Sequence, residues 1–173
     1  MISGRPGSDE FASYAQPDIG YVAGDDAVGV LAVQGESVVA LLESFDEEAI
    51  RGRRYAPGKW TVKEVFGHLI DDERIFAYRA LCVARGDARP LPGFDENDYV
   101  AATDFESRPL AALIAEYRVV RAATLALFEP LTAEEWVRRG NVNGYEASVR
   151  GLAFHVAGHE LHHLRTLRER YLD

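Results

Sequence analysis

Five histidines are the residues best suited to chemistry in this sequence. Four fall within nine positions, His155, His159, His162 and His163, and His68 lies far upstream. Imidazole is the commonest side-chain metal ligand. Two of them at i and i+4 on a helix lie one turn apart on one face and can meet a single ion. The candidate pairs are 155/159 and 159/163. At about 100° per residue, His159 and His163 lie nearest the apolar stripe of Leu152, Val156 and Leu167. His155 and His162 fall toward its edge, as supporting or surface groups. The wheel therefore selects His159 and His163.

Two imidazoles do not complete a site, because catalytic centres use three protein ligands plus water. His68 flanks the apolar stripe of a different helix. If the two helices face each other, His68, His159 and His163 hold one divalent transition metal and leave a position open. Donor type does not choose among Zn, Ni, Fe and Mn.

His159-Glu160-Leu161-His162-His163 also matches H-E-x-x-H, the zinc-peptidase motif. The usual downstream third ligand is missing, so the match carries little weight. Glu160 turns inward on the wheel, and a buried carboxylate needs a partner. It is either a catalytic proton acceptor near the metal or one half of a salt bridge to an arginine of another helix. Asp72, four residues after His68, either holds an imidazole N–H or belongs to an exposed acidic patch with Asp71 and Glu73, paired to Arg74 or Arg79.

The elements that must position these groups are helical. A first helix starts at Asp25 or Asp26 and stops near Ser44–Phe45. A second opens with a Thr61/Glu64 capping box and ends at Gly86. Residues 87–106 form a long loop, either functional or a crossover between helices that are not adjacent. A third helix runs over 108–128, capped by Ser107 with Pro109 in its first turn. Thr132 to Val137 is a short extra turn, Asn141–Gly144 a turn cluster, and a fourth helix spans 148–171. No run alternates as a strand. The expected architecture is all-α, a four-helix bundle over residues 24–173, preceded by an irregular arm at 1–23.

Composition is ordinary for a soluble globular protein. Of 173 residues 47% are hydrophobic and 27% charged, with a net charge of -9. That balance argues against nucleic acid and against anionic lipid as partners. The start lacks an apolar signal core, and no apolar run is long enough to cross a bilayer, so a cytoplasmic location is expected. Cys82 is the only cysteine, which excludes a thiolate cluster, and it is expected to be a buried, inert thiol.

Trp60-Thr61-Val62-Lys63-Glu64, then Gly67-His68-Leu69-Ile70-Asp71, Leu91-Pro92-Gly93-Phe94-Asp95 and the terminal His159-Glu160-Leu161-His162-His163 resemble the DinB/YfiT-like superfamily over about residues 25 to 172. The resemblance implies a four-helix bundle with a long crossover, and a metal on three histidines that map onto His68, His159 and His163. It also implies frequent homodimers. Characterised members include thiol-dependent transferases and isomerases using mycothiol, bacillithiol or glutathione, and many relatives are regarded as metal-dependent hydrolases. The expectation is thus a metal-dependent transferase or hydrolase acting on a small molecule, with a low-molecular-weight thiol as one such partner. The competing expectations are a non-enzymatic, metal-stabilised binding module and, more remotely, a zinc peptidase.

Overall fold

The structure is a computed structural model and describes residues 4–172. In chain order it contains a 3-10 turn (Ser13–Ala15), α1 (Gln16–Tyr21), α2 (Ala27–Glu43), α3 (Glu47–Ile50), α4 (Val62–Ala84), α5 (Glu96–Ala101), α6 (Leu110–Phe128), α7 (Ala133–Val137), β1 (Arg139–Val142), β2 (Tyr145–Ser148) and α8 (Val149–Arg170). The starts follow local chemistry. Asp26 accepts the Gly29 N–H, Thr61 and Glu64 form a reciprocal capping box, and Ser148 accepts the Gly151 N–H.

The start of α6 differs from expectation. Ser107 does not cap it, because its hydroxyl donates to the Asp104 carbonyl at 3.0 Å. Pro109 occupies the cap position, and the Leu110 N–H is satisfied instead by the Glu47 carboxylate at 3.0 Å. Lys63 donates to that same carboxylate at 2.6 Å, so a residue 63 positions away in sequence closes the helix end.

The bundle is made by α4 packing against α6 and α8, with α2 packing against the same two helices. Consequently α2 and α4 face each other across the bundle, as do α6 and α8. The diagonal crossings are made by residues 44–61 and 129–148. Residues 87–106 instead join α4 to its neighbour α6, fold α5 on the way, and wall a cavity.

The interior is apolar at both ends and polar in the middle. One apolar cluster gathers Leu31, Phe76, Val83, Phe128, Leu152 and Phe154, and the other gathers Leu42, Phe66, Leu113, Tyr117, Leu164 and Leu167. Between them, the buried positions are Gln34 on α2, Asp72 and Glu73 on α4, Arg121 on α6 and Glu160 on α8. Every long helix therefore interrupts its apolar stripe at one level. Buried polar groups require partners, so that level has to be a connected network.

Three further expectations need correction. Part of the N-terminal stretch is helical rather than irregular: α1 lies along α8, and Arg5 ties its C-terminal end by donating to the Ile19 and Val22 carbonyls at 2.6 and 2.7 Å. Gly151 and Gly158 permit that approach, since a Cβ at either would collide with the backbone carbonyl of Glu10 or Asp18. The Asn141–Gly144 turn belongs to a hairpin, with β1 and β2 paired antiparallel from Arg139↔Ser148 to Val142↔Tyr145. Asn143 and Gly144 have φ of 53° and 80°, the combination that matches the twist of paired strands. Strands of four residues are too short for alternation to show. Cys82 is only partly buried, against the edge of one apolar cluster. No described helix is long and apolar enough to cross a membrane.

Candidate metal centre

The packing of α4 on α8 brings His68 to His159 and His163. His159 Nε2 lies 3.2 Å from His68 Nε2 and 3.1 Å from His163 Nε2. The His159 ring stands nearly edge-on to both, at 85° and 84°. Four donors at about 2.0–2.1 Å around a tetrahedral ion are separated by about 3.3 Å, close to these distances.

The buried carboxylate of Asp72 decides what these nitrogens can do. His159 Nδ1 donates to Asp72 Oδ2 at 3.2 Å. The proton of a neutral His159 is thus on Nδ1, leaving one lone pair on Nε2. One Nε2, whether it offers a lone pair or a proton, serves two neighbouring nitrogens poorly, whereas a cation at the centre of the three can meet all of them. The residues present therefore fit a metal, and the carboxylate behind the ligand imidazole is the usual way to fix its tautomer.

Electrostatics point the same way. Burial and the nearby His159 push His68 down to about 4. Burial, then His159 and His68, push His163 down to about 2. Both imidazoles are neutral, lone-pair-bearing groups at neutral pH. Burial opposes charge on His159 too, but the Asp72 carboxylate outweighs it and shifts its pKa upward. Burial also opposes charge on Asp72, yet His159 and His155 hold it well below the usual carboxylate range.

The remaining histidines take the two roles the helical wheel allowed them, one supporting the cluster and one at the surface, although His155 is more buried than an edge position suggests. His155 is buried, stacked on Phe76 at 3.8 Å between centroids, with its Nε2 3.6 Å from Asp72. Asp72, His155 and His159 form a second cluster of donors that shares His159 with the first. His162 points outward and its Nδ1 lies 2.8 Å from Asp18 Oδ1.

Glu160 has no place at this centre. It faces the bundle interior, where its Oε2 accepts from Arg121 Nη2 at 2.6 Å and from the Tyr117 hydroxyl at 2.7 Å. The salt bridge to another helix, not the catalytic proton acceptor, is what the geometry contains. Glu73 is the second correction. It is buried and paired twice with the same guanidinium, Arg121 Nε and Nη2 donating to its two oxygens at 2.9 Å each. Asp71 stays at the periphery, 3.5 Å from Arg74.

A cavity of about 430 Å³ opens on the histidines. Its aromatic walls are Tyr14, Trp60, Phe76 and Phe94, and its polar groups include Asp18, Asp72, Glu96 and Asn143. Sequence reasoning missed most of this wall. Tyr14 and Asp18 sit in the stretch taken for an irregular arm, and Asn143 in a turn. The length of the 87–106 loop and, for Phe94, the Leu91–Asp95 motif were the hints that Phe94 and Glu96 would have a role.

A family model for the DinB superfamily matches residues 31–167. Among solved structures, YfiT from Bacillus subtilis, described as a probable metal-dependent hydrolase with an unusual four-helix bundle topology, superposes with a TM-score of 0.76. It is 17% identical, and the match covers 96% of this chain and 90% of that one. The mycothiol-dependent maleylpyruvate isomerase superposes with a TM-score of 0.64 at 12% identity, over 80% of this chain and 58% of that one. No curated protein matches the sequence.

Proposed function

From the premise that this chain belongs to the DinB superfamily, we propose that it is a metal-dependent enzyme in which His68, His159 and His163 hold one divalent transition ion. Its reaction is transfer to or from a low-molecular-weight thiol, or hydrolysis, on a small-molecule substrate. Three Nε2 atoms converging at the floor of a cavity carry this reading. A divalent ion there supplies Lewis acidity and lowers the pKa of a coordinated water or thiol.

The chain's own residues do the rest. His68 and His163 are kept neutral by burial, so they offer lone pairs without competing protons. Asp72 holds the Nδ1 proton of His159 and keeps its Nε2 directed at the other two. Trp60 packs beside His68 at 4.8 Å between centroids and walls the cavity on that side. The cavity itself favours an enzyme over a metal used only to pin helices, which would need a closed site. A peptidase of the H-E-x-x-H type is disfavoured, because its base would be Glu160, already engaged by Arg121 and Tyr117. Likeness to the mycothiol-dependent isomerase supports the thiol branch by analogy of fold alone. A homodimer and a cytoplasmic location are further parts of the proposal, the homodimer on the family resemblance alone.

Metal analysis of purified protein beside His68→Ala and His163→Ala tests the assignment. Wild type should carry one equivalent, and each variant should bind about a hundredfold more weakly, taking roughly 3 kcal/mol per ligand. A wild type that takes up no metal under varied supply sinks the reading, and variants that keep the ion sink the ligand set.

A further inference from the structure

Apart from the imidazoles, the charged groups lining the cavity carry one sign. Asp18 from α1, Glu96 from α5 and Asp72 from α4 line it, and no lysine or arginine does among the described residues. Asp18 is partly exposed there, its Oδ1 engaged with His162. Arg79 is the cation to weigh against them. It is buried, with its guanidinium over the rings of Phe76 and Phe94 at 4.7 and 5.5 Å, and it donates to the Pro92 carbonyl at 2.7 Å. The rings of Phe76 and Phe94 present an apolar face to the cavity, whereas Asp18 and Glu96 present charge.

We propose that this cavity selects small molecules that are neutral or cationic away from the reacting atom, with Asp18 and Glu96 as the specificity-determining residues against carboxylate- or phosphate-bearing ones. The inference rests on the histidine cluster being the reactive centre. A reacting sulfur or oxygen approaches the three imidazoles, while the body of the ligand lies against Trp60, Tyr14 and Phe94 and meets two carboxylates. Hydroxyl and ammonium groups donate to carboxylates, and a second carboxylate is repelled. Asp18 comes from a segment that packs on α8 only because Gly158 lets it approach, so selectivity depends on the N-terminal stretch.

Cobalt-loaded protein titrated with three thiols tests this: cysteamine as cation, 1-thioglycerol as neutral, mercaptosuccinate as dianion. Thiolate-to-cobalt absorption reports coordination, and Trp60 fluorescence reports occupancy with or without cobalt. Because the three thiols differ in intrinsic acidity, the decisive quantity is the change in their affinity ratio between wild type and Asp18→Asn/Glu96→Gln. Mercaptosuccinate should gain on thioglycerol by about twofold to fivefold for each carboxylate removed, the worth of a partly exposed charge. The gain should shrink in high salt. An unchanged ratio overturns the proposal, as does a wild type that prefers mercaptosuccinate, which would hand control to Arg79. So does failure of all three to bind. If cobalt is not taken up but Trp60 still reports the expected ratios, the metal reading fails and the selectivity stands.

Discussion

Asp72 and Glu73 are adjacent on α4, and His159 and Glu160 are adjacent on α8. Yet the first of each pair belongs to one polar cluster and the second to another. Asp72 and His159 face the cavity, where three imidazole nitrogens converge with a single hydrogen-bonded tautomer among them. Glu73 and Glu160 face α6, where Arg121 spends its donors on both carboxylates and on the Leu31 carbonyl at 2.8 Å. The guanidinium cluster is nearly complete by itself, with the Glu160 Oε1 left over. The histidine cluster is not, and its incompleteness opens on space for a ligand. One buried polar layer thus holds the helices together on one side and leaves coordination available on the other.

Breaking the guanidinium cluster should have the largest effect. Arg121→Met strands two buried carboxylates and should cost about 3–5 kcal/mol of stability in urea unfolding. The metal content of the protein that remains folded should be unchanged. If Arg121→Met removed metal as efficiently as His68→Ala, the two clusters would be one functional unit and the distinction would collapse.

Asp72→Ala sharpens the contrast from the other side. Losing the group that orients a ligand imidazole should weaken metal binding by about 10- to 100-fold, as metal-buffered titration measures. Its near neighbour offers a control, since Glu73→Gln should leave metal affinity intact while lowering stability.

The smallest effect concerns the segment that brings Tyr14 and Asp18 to the cavity. Glu10 is tied to Arg150 of α8 at 2.6 Å through Nε, and that hydrogen bond, against the opposing effect of burial, lowers its pKa to about 2. A folded pKa below the unfolded one contributes stability that is present above about pH 4.5 and disappears as pH falls toward 2. The difference in stability between wild type and Glu10→Gln should therefore close over that window. A difference that persists at pH 2 would show that the segment is held by something other than this ion pair.

Much of the bundle was legible because its signals are local. The Thr61/Glu64 box, the Asp26 cap and the apolar stripes each act within a few residues. The cap of α6 was not, because Glu47 reaches it from another element while Ser107 is engaged elsewhere. The wheel placed His155 at the edge of the stripe, but α4 and the N-terminal segment cover that edge and bury it. The acidic run 71–73 left Asp72 between an imidazole partner and a shared exposed patch, and a step of about 100° per residue sends its members to the periphery, cavity and core in turn.

The sequence by itself determined the four long helices and the i, i+4 pairing of His159 with His163, since both depend on helical repeat alone. Ligand count and resemblance offered His68 as the third member, on condition that its helix faced the other, and left Glu160 between two roles. Only the tertiary structure decided that α4 lies on α8, so that His68 joins the other two and Glu160 turns to Arg121. The same packing brought Tyr14, Asp18, Phe94 and Glu96 around the histidines from segments with no periodic signal. The physical reason is range. Helix formation and capping are settled by neighbours in sequence, whereas which face of each helix meets which partner is settled by how four helices share one interior.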